Sequence, residues 1–140
     1  MSDDRYSVRL LSKAGEIVEG VFVLDEDEAS EQISLRLESS LGNISRQAFD
    51  YFEATCLIRH ELELSGWRPV CYGSSCNVYP SGMCRDMGMG LKAYKLQLGK
   101  AATMGDLVSI FDSSPDIEPV SVGEQRSFWQ EWLRSVEANP

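Results

Sequence analysis

Cys56 and His60 stand four residues apart in "CLIRH", a spacing that lets both side chains leave a helix on the same side. Cys71, Cys76 and Cys84 follow, which raises two chemistries: a zinc site and a cysteine nucleophile. Zinc is disfavoured by spacing, because no cysteine pair has the C-x₂-C separation of a knuckle and the segment from Cys76 to Cys84 would have to fold tightly. A thiol nucleophile needs a base within hydrogen-bond reach, and the chain holds one histidine. Cys56 falls on an apolar stripe, where a thiol acts as a small hydrophobe and its pKa rises. Cys84 sits beside Arg85, whose charge would favour a thiolate, and His60 would have to reach it from the helix. An inert loop cysteine is the simpler reading.

Chemistry of a different kind is suggested by "NVYPSGMCRDMGMGLKAYKL", residues 77–96. Within the segment 73–90, Gly73, Gly82, Gly88 and Gly90 permit tight turns, and Pro80 stiffens the middle. Tyr79, Met83, Met87 and Met89 are apolar and need a surface. Loops of about sixteen residues inside a compact domain are usually functional or disordered, and this apolar content argues for order. Methionines adapt to partner surfaces and also fill gaps in cores, so a recognition surface and a structural cover both stay open. "GMGMG" looks like a phosphate loop, but a strand follows it rather than the helix N-terminus that would hold a phosphate. P-loop, G-x-G-x-x-G, G-x-S-x-G and H-E-x-x-H signatures are absent, which makes catalysis the less expected class. Arg59 lies inside the apolar stripe and must be paired or reach a solvated pocket; snorkelling or an ion pair with Glu63 is the simpler outcome. The candidate partner- or ligand-binding set is Arg59, Tyr79, Met83, Arg85, Asp86 and Met87, with no metal, no cofactor and no catalytic residue.

These side chains need elements to position them. Residues 6–11 and 16–24 flank "SKAG" and read as a β-hairpin. In "QISLRLE", Ile33, Leu35 and Leu37 alternate with polar residues, which predicts a strand, although Ala29, Ile33, Leu37 and Leu41 also fit a helical stripe. From a cap at Ser45 to Gly66 beyond its end, the pattern predicts one long helix. Ala48, Phe49, Phe52, Thr55, Cys56, Ile58 and Leu62 would face inward, with Asp50, Glu53 and Glu61 outward. "WRPVCY" predicts a strand that Pro69 places at an edge. "LKAYKLQL" and "DLVSIFD" predict two more. "SVGE" offers a capping box at Ser121 for a helix to Val136, lined by Val122, Trp129, Trp132, Leu133 and Val136. The order βββ-α-βββ-α predicts a single α+β domain over residues 1–140, with about six mostly antiparallel strands and two helices.

With 43% hydrophobic and 25% charged residues in 140, the chain has the composition of one globular domain and not of a disordered one. Its net charge of −9 opposes binding to nucleic-acid phosphates and anionic membranes and suits a basic protein partner. "MSDDRYSVR" lacks a basic region followed by an apolar stretch, and no run is long enough to span a membrane. A cytoplasmic protein with reduced thiols is the expectation.

The stretch "YPSGMCRDMGMGLKAYKLQLGK", with "DLVSIFD" and the Trp-rich terminal segment, resembles a family of small uncharacterised bacterial cytosolic proteins over the half of the chain from Trp67. The size, acidity and α+β outline also resemble the immunity proteins that neutralise polymorphic bacterial toxins. That second resemblance implies an acidic surface occluding a basic toxin domain and assigns no residue. The leading expectation is a non-catalytic protein-binding module of this kind. The alternative is a small-molecule-binding protein or enzyme using a cleft between the 73–90 loop and the 45–64 helix, with Arg59, Arg85 and Cys84. Oligomeric state is open.

Because the cysteine spacings suit separate thiols, the protein is expected to carry well under one equivalent of zinc when purified without chelators. Elemental analysis checks this, and a stoichiometric content would overturn the spacing argument.

Overall fold

The computed structural model describes residues 4–26 and 31–138. The centre of the acidic run, including Ala29 of the helical alternative for "QISLRLE", lies outside them. The first half is a meander of four strands: β1 (Asp4–Ser12), β2 (Ile17–Glu26), β3 (Ile33–Ser39) and β4 (Ile44–Ala48). Helix α1 (Tyr51–Leu64) follows, and then β5 (Trp67–Val70) returns to pair with β1, giving the antiparallel order β4-β3-β2-β1-β5. Pro69 thus lies on an edge strand, where a missing N–H is tolerated.

Period-two alternation decides which face of this sheet is dry. Val8, Leu10, Phe22, Leu24, Ile33, Leu35 and Leu37 are buried, and α1 closes over them with Tyr51, Phe52, Ala54, Ile58 and Leu62. The opposite face is charged, with Glu38 bonded by Arg36 at 2.8 Å and Arg5 at 3.3 Å and with Val23 buried between the paired Arg5 and Arg36 positions.

Two sequence expectations fail at the start of α1. Residues 44–48 form a strand, with Arg36 opposite Ser45 and Ser34 opposite Gln47, so Ser45 caps nothing. The cap is Asp50, whose carboxylate accepts the Glu53 N–H at 2.7 Å. Phe49, expected in the core, is 76% exposed, and Asp50, expected outside, is 6% exposed. The reason is phase: starting the helix at Tyr51 leaves Phe49 in the strand-to-helix bend. Gly66 does end the helix as expected, at φ +80°, a conformation glycine adopts without strain.

The second half holds more structure than the expected two strands and one helix. After a 3-10 turn at Tyr72–Ser74 come β6 (Val78–Tyr79), α2 (Gly82–Met87), β7 (Lys92–Lys95), β8 (Leu107–Ser109) and α3 (Val122–Ala138). Strands β6, β7 and β8 make a separate antiparallel sheet. The fold is α+β as expected, but with eight strands in two sheets and three α-helices among the described residues. The extra helix lies within the loop: Ser81 accepts the Cys84 N–H at 3.1 Å and so caps α2.

Both sheets share one buried cluster. Val78, Ala93, Ile110 and Phe111 join the core of the first sheet, and Phe111 stacks on Tyr6 and meets Phe22, each at 5.1 Å between ring centres. No described helix is long and apolar enough to cross a membrane.

Phe52 and Phe49 therefore respond oppositely to truncation. Phe52→Ala, at 1% exposure, should cost about 3–5 kcal/mol, whereas Phe49→Ala should stay within about 0.5 kcal/mol. Denaturant unfolding of both variants measures the contrast, and equal losses would place Phe49 back in the core.

Candidate functional site

Helix α3 meets the body through a polar contact. Along α3, Val122, Gln125, Trp129, Trp132 and Val136 form one stripe at helical spacing, yet Gln125 alone among them is buried, at 1% exposure. Its side-chain amide donates to the carbonyls of Gly73, Ser75 and Val78 at 2.9–3.0 Å. Its oxygen accepts from Arg59 at 2.6 Å.

Arg59, also 1% exposed, donates further to the carbonyls of Gly73 at 3.0 Å and Val120 at 2.9 Å. It makes no ion pair with Glu63, which instead accepts the Val122 N–H at 2.8 Å and tethers the start of α3. Burial pulls the Arg59 pKa below its ordinary value, opposed by the neighbouring Cys56, Cys71 and Glu63. Arg59 is sealed behind α3 and lines neither of the two cavities beside α1 and α2.

The loop 73–90 is anchored at three points. Tyr79 stacks on Trp129 at 4.5 Å and meets Phe52 edge-on at 5.1 Å. Met89 packs against the core and its carbonyl accepts the Tyr51 N–H at 2.8 Å. Gly90, at φ +71°, lies so near α1 that an added Cβ would come within 2.9 Å of Asp50 Cγ and the Phe52 nitrogen. This glycine is needed for close approach as well as for its φ.

Arg85 joins α2 to α1. It donates to Asp50 at 2.9 Å and Glu53 at 3.0 Å, with its guanidinium 5.4 Å from the centre of the Phe52 ring. Partial burial works against its charge, but the two carboxylates outweigh it and raise its pKa. On one side of this link lies a small cavity of about 130 Å³, where Cys56, His60, Tyr79 and Gln125 meet Arg85. Burial pushes the Cys56 thiol up to about 11, with Arg59 pulling the other way, so at neutral pH it is a protonated thiol rather than a nucleophile. Cys84 lines neither this cavity nor its neighbour, and His60 is not brought to it there.

On the other side lies a groove of about 470 Å³ between α1 and α2, where Phe49, Leu57, Asp50, Glu53, Arg85 and Asp86 meet. Three carboxylates face one guanidinium there. Met83 and Met87 project from α2 at 71% and 81% exposure. Of the expected site residues, the structure brings Arg85 and Asp86 to this groove, leaves Met83 and Met87 exposed on α2 outside its lining, and makes Tyr79 a packing residue between Phe52 and Trp129. Phe49, Asp50, Glu53 and Leu57 are additional. "DYFE" carries the D-x-x-E capping signature that would have placed Asp50 and exposed Phe49. Among the described residues, no group of three or more His, Cys, Asp or Glu is arranged to hold a metal.

No family model matches this chain, and no curated protein matches it.

Arg59→Leu removes the donor to the Val120 and Gln125 oxygens, while Gly73 keeps its bond from the Gln125 amide, at about 1–3 kcal/mol for each buried group without a partner. Thermal unfolding should show a loss well beyond an ordinary surface change. Arg59→Lys should rescue little, since a compact ammonium cannot reproduce the guanidinium fork. Full stability in the Lys variant would show that charge alone suffices.

Proposed function

We propose that this chain is a non-catalytic, acidic protein-binding module that docks its partner at the groove between α1 and α2. Its most concrete form is an immunity protein that binds and neutralises a basic bacterial toxin domain. The observation that carries this reading is an acidic groove lined by Phe49 at 76% exposure, with Met83 and Met87 at 71% and 81% exposure on α2, the helix that forms one wall of the groove. Aromatic and methionine side chains are enriched in interface cores, and grouped exposed apolar side chains mark interaction sites. Three groove carboxylates against one guanidinium, on a chain of net charge −9, favour a basic partner by complementarity and steering.

The groove has a natural division of labour. Arg85 holds α2 to α1 through Asp50 and Glu53, so its replacement would disturb the fold as well as the surface. Asp86 is exposed and no such link depends on it, which makes it the cleaner probe of charge. Phe49 supplies the apolar anchor.

Capture of partners from native cytosol, followed by titration of the purified partner, tests the reading. Phe49→Ser and Asp86→Lys should each weaken binding at least about tenfold while shifting stability by no more than about 0.5 kcal/mol. Unchanged affinity in both variants would remove the groove as the docking site. For the immunity form, co-expression should relieve toxicity of the captured partner, and the same two variants should lose that protection.

A further inference from the structure

A further cavity, of about 360 Å³, lies away from the α1–α2 groove, where α3 meets the small sheet. Tyr79, Tyr94, Trp129 and Trp132 contribute four aromatic rings, with Leu96 and Val136 completing the apolar wall, and no charged side chain lines it. Its size and apolar wall match those of small-ligand pockets. The polar tips of two rings are already engaged: the Trp132 N–H donates to the Lys100 carbonyl at 2.9 Å, and the Tyr94 hydroxyl faces Met104 Sδ at 3.9 Å. Tyr79 and Trp129 stack on each other at 4.5 Å, so each has one face covered, and the Ser81 hydroxyl in the lining already accepts the Cys84 N–H. The pocket thus offers the remaining aromatic surface and few hydrogen-bonding groups.

We infer that this pocket binds a quaternary ammonium group. A primary ammonium entering it would leave N–H donors without acceptors, and an anion would meet the negative faces of the rings with no cation to pair with. A trimethylammonium group has charge but no donor, and it is attracted to aromatic faces within about 6 Å. The net charge of −9 raises the local concentration of cations around the molecule. The adjoining cleft, across the shared wall of Leu96, Ala101 and Ala102, sets Lys95 and Lys100 against Asp106 and Asp116, so it adds no net charge at the mouth. A neutral apolar ligand is the competing occupant, and the test is built to separate the two.

Choline is the probe, titrated into the full chain by calorimetry and by tryptophan fluorescence, beside its uncharged carbon isostere 3,3-dimethylbutan-1-ol. Choline should bind saturably and the neutral isostere at least about tenfold more weakly. Trp132→Ala should weaken choline binding at least about tenfold, whereas Trp132→Phe, which keeps a ring face, should retain most of it. If Trp132→Ala fails to fold, Ala102→Trp fills the pocket from a segment outside the helices and strands and should abolish binding. Equal affinity for choline and its isostere would make the pocket merely apolar and overturn the inference. So would the absence of saturable choline binding, or binding that survives both Trp132→Ala and Ala102→Trp. None of these outcomes bears on the α1–α2 groove.

Discussion

One buried guanidinium ties the turn after β5 and the start of α3 to helix α1. Arg59 is buried without a carboxylate partner, and its hydrogen bonds go to the carbonyls of Gly73 and Val120 and to Gln125. A buried charge of this kind needs acceptors around it. Both terminal nitrogens of Arg59 have them, while Nε has no hydrogen-bond partner among the described residues. The need for acceptors shapes its surroundings. The turn after β5 must present its carbonyls inward. The segment before α3 must do the same, and α3 must place Gln125 where a core helix would ordinarily place leucine. Gln125 then extends the network to Ser75 and Val78, so the small sheet is positioned by the same contact. The apolar stripe of α3, being docked through an amide, stays only half-covered and lends its tryptophans to the aromatic pocket.

The loop between β5 and β7 follows from a similar constraint at the other end of α1. A helix start leaves N–H groups without partners, and here Asp50 and the Met89 carbonyl supply acceptors. Asp50 is itself nearly buried and is neutralised by Arg85 from α2. The short helix is therefore held by charge, and the chain just before it by the Phe52–Tyr79–Trp129 ring contacts. What remains outside is the part with no structural duty: Phe49, Met83, Met87 and Asp86.

Much of the architecture was legible in the sequence because local signals and tertiary packing agree there. The first hairpin, the strand of Ile33, Leu35 and Leu37, the glycine after α1, Pro69 at an edge and the Ser121–Glu124 box all appear where their chemistry places them. The start of α1 was misread because Ser45 and Asp50 are both acceptable caps and the intervening residues have no helix breaker. Pairing with β3 decides between them, and pairing is not a local property. Helix α2 is only six residues long, too short for periodicity to show. Residue type singled out Arg85 and Asp86, and both line the α1–α2 groove. It was misleading at Phe49, where hydrophobicity suggested burial, and at Arg59, where a charge suggested snorkelling, an ion pair with Glu63 or a polar cleft and the structure instead supplies three buried oxygen acceptors.

The span of the Arg59 contacts also orders the assembly of the chain in time. Strands β1 to β4 pair with their sequence neighbours and close short loops, whereas the bonds from Arg59 to Val120 and Gln125 bridge 61 and 66 residues. Long closures come late, because loop entropy must be overcome before the contact forms. As the chain leaves the ribosome, the meander and α1 can collapse while Arg59 still lacks two of its acceptors. That nascent core keeps a hydrated cationic plug at its flank until residues 120–125 emerge. Helix α3, which follows the other described helices in chain order, is thus the one that dries the interior.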